Sequence, residues 1–97
     1  MMRKFWPGTF EKTATVRRSG AGEGYRDMRG DESIAAAQRV LSDPRALSCV
    51  QSLTVDVERG CVVRYSVPCA SESVFDDYLR TEMFFMRLMR GEPAGDL

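Results

Sequence analysis

Residues 71–90 read SESVFDDYLRTEMFFMRLMR, and this stretch predicts a long, capped and largely apolar helix. Either Ser71 or Ser73 can cap its start, with Asp76 three residues after Ser73, and Gly91 supplies a stop. Acidic residues come early in the stretch and arginines come late, which suits the dipole of a helix. We interpret the rest of the chain as the scaffold on which this helix packs.

The apolar residues of this helix cover more of its surface than a small core needs. At about 100° per residue they form one arc of roughly 220°, and an ordinary surface helix needs nearer half of that. Phe84 lies outside the arc among charged residues, and Glu82 lies inside it. The members of the arc are Leu88, Val74, Phe85, Tyr78, Met89, Phe75, Met86, Leu79 and Met83.

Two interpretations of this arc are open. In the first, the sheet covers one side and the first helix or the N-terminal aromatic residues cover the other, while Glu82 reaches Arg39 or Arg45. In the second, part of the arc docks on another chain, either a second copy or a target protein, because methionine and aromatic side chains adapt well to partners.

Residues 50–67 carry the clearest β pattern, since Leu53 and Val55 alternate with polar residues before Arg59-Gly60, and alternation resumes at Cys61. A three-residue loop, 58–60, places Gly60 where a type I turn with a bulge needs a left-handed residue. This loop predicts that Val57 pairs with Cys61, Val55 with Val63 and Leu53 with Tyr65. We therefore expect Cys61 to be a buried hairpin residue.

A first helix is predicted over residues 31–42, capped by Asp31. Its buried face is predicted to hold Ile34, Ala37, Val40 and Leu41. Asp43-Pro44 ends it, and residues 44–48 can form one further turn with Asp43 as cap and Pro44 at its first position.

The N-terminal third is the least regular part of the sequence. Residues 10–18 alternate weakly and predict an edge strand. Residues 19–30 contain four glycines and no periodicity, which predicts a flexible loop rich in glycine and arginine. We expect residues 1–8 to be an irregular entry and residues 91–97 a C-terminal tail.

These elements predict a small single α+β domain, residues 1–97, with element order β-α-β-β-α. A roughly three-stranded antiparallel sheet would carry two helices packed on one face. No apolar run approaches the ~20 residues needed to span a bilayer, and the basic start has no apolar segment behind it. We therefore expect a cytoplasmic protein.

The composition disfavours most enzyme classes. The chain has no histidine, which removes the usual activator of a serine or cysteine nucleophile. The chain has three cysteines, Cys49, Cys61 and Cys69, and no two of them are spaced as CxxC. We therefore expect no metal site, no cofactor and no catalytic residues. Cys69 precedes the positive end of the long helix, where the pKa of a thiol can be lowered. An enzyme that uses the carboxylates of Asp76, Asp77 and Glu82 is the weakest hypothesis.

The net charge is zero, yet it is unevenly distributed. Residues 1–30 carry seven basic and three acidic side chains, a charge of +4, and residues 31–97 carry seven and eleven, a charge of −4. A nucleic-acid-binding domain would use the basic third, with an aromatic residue stacking on bases. The residues of this alternative are Arg3, Lys4, Arg17, Arg18, Tyr25, Arg26 and Arg29.

The first hypothesis is a small non-enzymatic interaction protein, an inhibitor or adaptor that binds a surface of a larger protein or nucleoprotein complex. Phage-encoded anti-defence proteins such as anti-CRISPR inhibitors are of this size and character, although no motif here identifies such a family. Pairing with a second copy through helix 71–90, to form a homodimer, is a further predicted interaction, and no membrane partner is expected. The partner-binding residues of this hypothesis are Met83, Phe84, Met86, Arg87 and Arg80.

Overall fold

The computed structural model describes residues 9–11, 20–56 and 58–97. Within these ranges the chain forms four strands and three helices in the order β-β-α-α-β-β-α. They are β1 (Thr9–Glu11), β2 (Gly20–Met28), α1 (Glu32–Ser42), α2 (Pro44–Cys49), β3 (Val50–Asp56), β4 (Gly60–Pro68) and α3 (Val74–Arg90).

The strands form one antiparallel sheet in the order β1-β3-β4-β2. The helices pack against it, so the predicted α+β class is confirmed. Alternate residues of β4 enter the core against the helices, among them Cys61, Val63, Tyr65 and Val67. The intervening side chains lie on the opposite face, which we call the open face of the sheet.

The prediction of a flexible loop over residues 19–30 is wrong, because β2 occupies most of it and adds a fourth strand. β2 pairs with β4 along its length, with Tyr25 opposite Arg64. Its glycines serve close packing: a Cβ at Gly22 would overlap the phenol of Tyr78, and one at Gly24 would lie 2.9 Å from the ring of Tyr65. Glycine therefore lets α3 and Tyr65 approach the backbone of this strand directly.

The strand predicted over residues 10–18 is observed only in part. β1 pairs with β3, placing Phe10 opposite Leu53, and it lies at the edge of the sheet as predicted. The remainder of that prediction, residues 12–18, lies outside the described residues, as does the predicted irregular entry at residues 1–8. Residues 91–97 are described and contain neither helix nor strand.

Both short helices form where the sequence places them. Asp43 caps α2 by accepting a hydrogen bond from the Arg45 amide at 2.8 Å, with Pro44 at the first position. Asp31 occupies the N-cap position of α1, but its side chain makes no cap hydrogen bond. The predicted buried face of α1 is partly wrong, since Ile34 and Leu41 are only partly buried, and the buried residues are Ser33, Ala36, Ala37 and Val40.

The hairpin of β3 and β4 is confirmed, but its register differs from the prediction by two residues, because the loop begins one residue earlier and ends one residue earlier. Asp56 pairs with Gly60 and Val55 with Cys61, so the loop is residues 57–59, and Val57 lies outside the described residues. The Asp56 carboxylate accepts hydrogen bonds from the amides of Glu58 and Arg59, which sets the turn earlier. The faces are unchanged, and Cys61 is fully buried as predicted.

The long helix begins and ends as its sequence indicates. The Ser73 hydroxyl accepts a hydrogen bond from the Asp76 amide at 3.2 Å, and Gly91 ends α3 in the left-handed conformation. The guanidinium of Arg39 donates to the Met89 carbonyl at 2.7 Å, where it stabilises the negative end of the helix and ties α1 to α3.

Two adjacent phenylalanines of α3 anchor it to the rest of the domain. The ring of Phe85 stacks on Tyr65 with centroids 4.3 Å apart and planes 6° from parallel. Phe84 meets Phe85 edge to face at 5.2 Å, and the guanidinium of Arg45 lies 5.0 Å from the Phe84 centroid. Phe84 is therefore part of the core, and the prediction that it contacts a partner is wrong.

We expect Gly24→Ala to lower the free energy of unfolding by about 1–3 kcal/mol, because the new methyl group overlaps a Tyr65 ring that Phe85 holds in place. In a flexible loop the same change would stabilise the chain by about 0.4–1 kcal/mol through the unfolded state. Urea unfolding distinguishes the two signs, with Glu23→Ala on the open face as the control. A stabilised Gly24→Ala variant would contradict the strand packing.

Candidate interaction surfaces

The five residues predicted to bind a partner are divided by the structure. Phe84 is 1% exposed in the core, and Arg80 is bound to Asp77. Met83, Met86 and Arg87 are partly exposed and lie on the side of α3 that points away from the sheet. Of the five predicted residues, only these three remain candidates for contact with another molecule.

Arg80 belongs to a buried cluster centred on Asp77, which is 1% exposed. One carboxylate oxygen of Asp77 accepts from the guanidinium of Arg80 at 2.8 Å, from the hydroxyl and amide of Ser71, each at 2.9 Å, and from the Ala70 amide at 3.2 Å. Chiefly through Arg80, and against the opposing effect of burial, these bonds lower the pKa of Asp77 to about 2. The cluster fastens the segment before α3 to its first turn.

The solvent side of α3 carries four apolar residues at helical spacing, Phe75, Leu79, Met83 and Met86, which we call the outward face. Phe75 is 70% exposed and Leu79 is 47% exposed, while the two methionines are partly exposed. The four lie within about 80° of one another around the helix axis. The core therefore covers one part of the predicted arc and leaves the other part at the surface.

The open face of the sheet presents a second surface. Tyr25 is 65% exposed and lies opposite Arg64, which is also exposed. With Glu23 and Val62 these residues line a shallow groove of about 310 Å³. The alternation of β2 places Glu23 and Asp27 on the same face as Tyr25, one on each side of it.

The residues predicted to bind nucleic acid do not form one patch where they are described. Tyr25 is on the open face, but Arg26 points to the helix side and pairs with Glu82. Arg29 is exposed just after β2. Arg3, Lys4, Arg17 and Arg18 lie outside the described residues.

Glu82 therefore has a different partner from the one expected. Neither Arg39 nor Arg45 reaches it, because Arg39 donates to the end of α3 and Arg45 is bonded to Asp43 and to the Gly95 carbonyl. These two arginines also line a wider groove of about 630 Å³ with Asp43 and Leu88. In this groove Arg39 and Arg45 therefore have a structural role, because both guanidinium groups are hydrogen-bonded within the chain.

The groups considered for chemistry are dispersed. Asp77 is buried, Asp76 is exposed and Glu82 is paired with Arg26, so the three carboxylates share no site. Burial raises the pKa of the Cys61 thiol to about 12, while Cys69 is exposed. No group of three metal-ligating side chains occurs in the described residues, and no helix among them is long and apolar enough to cross a membrane.

We expect Phe84→Ala to lower the free energy of unfolding by about 3–5 kcal/mol, because it opens a cavity beneath Arg45 and Phe85. Phe75→Ala removes the same side chain from the outward face and should change the stability of the dilute protein by no more than about 0.5 kcal/mol. Urea unfolding measures both changes. Equal losses would contradict the assigned orientation of α3.

The buried Asp77 should make stability depend on acid pH. Its pKa is about 2 when folded against 3.8 when unfolded, so its ionised form stabilises the folded state fully above pH 3.8. The difference in unfolding free energy between wild type and Asp77→Asn should therefore shrink as the pH falls from 3.8 towards 2. Urea titrations across this range measure it, and a difference that stays constant to pH 2 would contradict the cluster.

No protein-family model, curated protein or solved structure matches this chain.

Proposed function

We propose that this chain is a small non-enzymatic interaction protein, an inhibitor or adaptor, that binds a larger protein or nucleoprotein complex through the open face of its sheet. One observation carries the proposal: Tyr25 is 65% exposed and is the cross-strand partner of the exposed Arg64, on the face of the sheet that points away from the helices. An anti-CRISPR-like inhibitor is one form that this function can take.

The chemistry of this face suits a protein partner. Tyrosine and arginine are the residues most often found to dominate binding energy at protein interfaces, because each combines a large contact area with hydrogen bonding. Val62, two residues before Arg64 on the same face, adds apolar surface beside them, and the groove of about 310 Å³ gives a partner side chain a place to enter. The two β-strands that carry Tyr25 and Arg64 are paired, so the face is held in shape before binding.

The charges on the open face indicate what its partner presents. Glu23 and Asp27 flank Tyr25, and both are exposed. A partner surface with basic residues around a central depression would complement them. The protein part of a nucleoprotein complex offers such a surface where it faces nucleic acid.

Nucleic-acid binding is the second candidate, and the exposure of Tyr25 beside Arg64 is the observation that favours it. The acidic pair Glu23 and Asp27 works against it, because both would repel a phosphate backbone. Arg26 is also held on the other side of the sheet by Glu82. We therefore prefer a protein partner.

We expect Tyr25→Ala and Arg64→Ala each to weaken binding to the partner by about 1–4 kcal/mol without unfolding the protein. Tagged wild-type and variant proteins, cross-linked in the cell that encodes them and compared by quantitative mass spectrometry, provide the measurement. Arg59→Ala is the matched control, because it removes the same charge from the exposed hairpin turn.

Three outcomes of this comparison decide the proposal. A protein that wild type and Arg59→Ala retain equally, and that both open-face variants lose, would support it. Retention by every variant would contradict the assigned surface. Binding of a single-stranded oligonucleotide at low salt that Tyr25→Ala abolishes would favour the second candidate.

A further inference from the structure

We propose that the outward face of α3 binds the same face of a second copy of this chain. The two helices would lie antiparallel, related by a twofold axis at the level of Thr81. The proposal does not depend on the function proposed above, because the outward face and the open face lie on opposite sides of the domain. It follows from the order of apolar and charged residues along the exposed side of one helix.

The apolar residues of the outward face are arranged symmetrically along α3. Leu79 and Met83 lie two residues before and two after Thr81, and Phe75 and Met86 lie six before and five after it. In an antiparallel pair centred at this level, Leu79 meets Met83 of the second copy and Phe75 meets Met86. Each contact joins a rigid or branched side chain to an adaptable methionine, which packs well against either.

Four of the charges that border this face follow the same symmetry with opposite signs, while Glu82, on the other flank, is paired with Arg26 of its own chain. Asp76 and Arg87 lie five residues before and six after Thr81, and at about 100° per residue they project on the same flank of the helix. Arg90 is the last residue of α3 and Glu72 immediately precedes its N-cap, so they mark the two ends of the helix, and both are exposed. Arg90 also lies 3.9 Å from Glu92, an exposed and weak contact that leaves it able to exchange partners.

Only the antiparallel arrangement brings these charges into attraction. It sets Asp76 of each copy opposite Arg87 of the other, and Glu72 opposite Arg90, so each pair occurs twice. A parallel pair would set carboxylate against carboxylate and guanidinium against guanidinium, which is repulsive. The helix dipoles are also opposed in the antiparallel arrangement. These complementary charges indicate a second copy as the occupant of the outward face.

The first test is the mass of the purified protein by sedimentation equilibrium across the micromolar range. We expect a reversible monomer–dimer equilibrium that Leu79→Glu weakens at least about thirtyfold, because the change places a charge at the centre of the contact. Glu58→Gln, in the exposed turn of the hairpin, is the control and should leave the equilibrium unchanged. A wild-type monomer at several hundred micromolar would overturn the proposal.

Charge reversal gives a second test, whose result does not depend on whether the Leu79→Glu variant folds. Asp76→Arg sets arginine against arginine across the twofold axis, and Arg87→Asp sets aspartate against aspartate, so each variant should dimerise at least about tenfold more weakly. A one-to-one mixture restores both attractive pairs and should form heterodimers more tightly than either variant pairs with itself. Glu32→Arg, in the first turn of α1, controls for the charge change.

The outcomes separate this inference from the proposed function. Heterodimers in the mixture, with both variants folded by circular dichroism, would support the antiparallel pair. A mixture no tighter than its components would overturn it, and so would a dimer that Leu79→Glu leaves intact. Partner capture that depends on Tyr25 would survive either result, because the open face is unaltered.

Discussion

The structure depends on how closely α3 approaches strand β2. Two glycines on the helix side of that strand, Gly22 and Gly24, leave room for the phenol of Tyr78 and the ring of Tyr65. Tyr65 in turn stacks on Phe85, so one face of α3 is fixed over the sheet by an aromatic pair 4.3 Å apart. Larger side chains at either glycine would push the helix outward and break this contact.

That anchoring decides which side of α3 is buried. Once Phe85 lies on Tyr65, the adjacent Phe84 turns towards α2 and meets Arg45, and the small alanines of α1 allow α1 and α3 to pack closely. Asp77 and Thr81 of α3 are also buried, although both are polar. They are accommodated because Asp77 binds Ser71 and Arg80, and the Thr81 hydroxyl donates to the Asp77 carbonyl at 2.8 Å.

Much of this architecture could be predicted from local sequence. Caps, stops and alternation locate all three helices and the hairpin, because those signals act between residues a few positions apart. The glycine-rich residues 20–28 are not recognisable as a strand from local signals. Their glycines make room for Tyr65 and Tyr78, which are more than 40 residues away in the sequence. The hairpin register depended on the Asp56 carboxylate, whose bonds to the turn amides alternation alone does not show.

The buried face of α3 does not follow from the sequence in the same way. An arc of about 220° has two edges, and hydrophobicity alone does not say which edge the sheet will cover. Asp77 and Thr81 are polar, so the hydrophobic pattern sets Phe84 outside the arc, although in the structure both polar residues are buried beside nearby hydrogen-bond partners. The surplus apolar surface expected from the sequence is present, at Phe75 and Leu79 rather than at Phe84.

The domain therefore presents two sides of different character. The open face of the sheet carries Tyr25 and Arg64 within an acidic border, whereas the outward face of α3 is apolar with acids at one end and arginines at the other. An inhibitor or adaptor that pairs through its helices would present two copies of the sheet face to a larger assembly. Paired presentation strengthens binding when the assembly offers two matching sites, because the second contact becomes intramolecular.

The central claim is that α3 buries one side in its own core and pairs through its outward side, and nuclear Overhauser effects in a mixture of isotope-labelled and unlabelled protein test it most directly. At high micromolar concentration, effects between different copies should join the Met86 methyl to the Phe75 ring and the Met83 methyl to Leu79. The Met89 methyl, which is fully buried, should show effects only within its own chain. Effects between copies at Met89 or Phe84, or none at Met83 and Met86, would contradict the account.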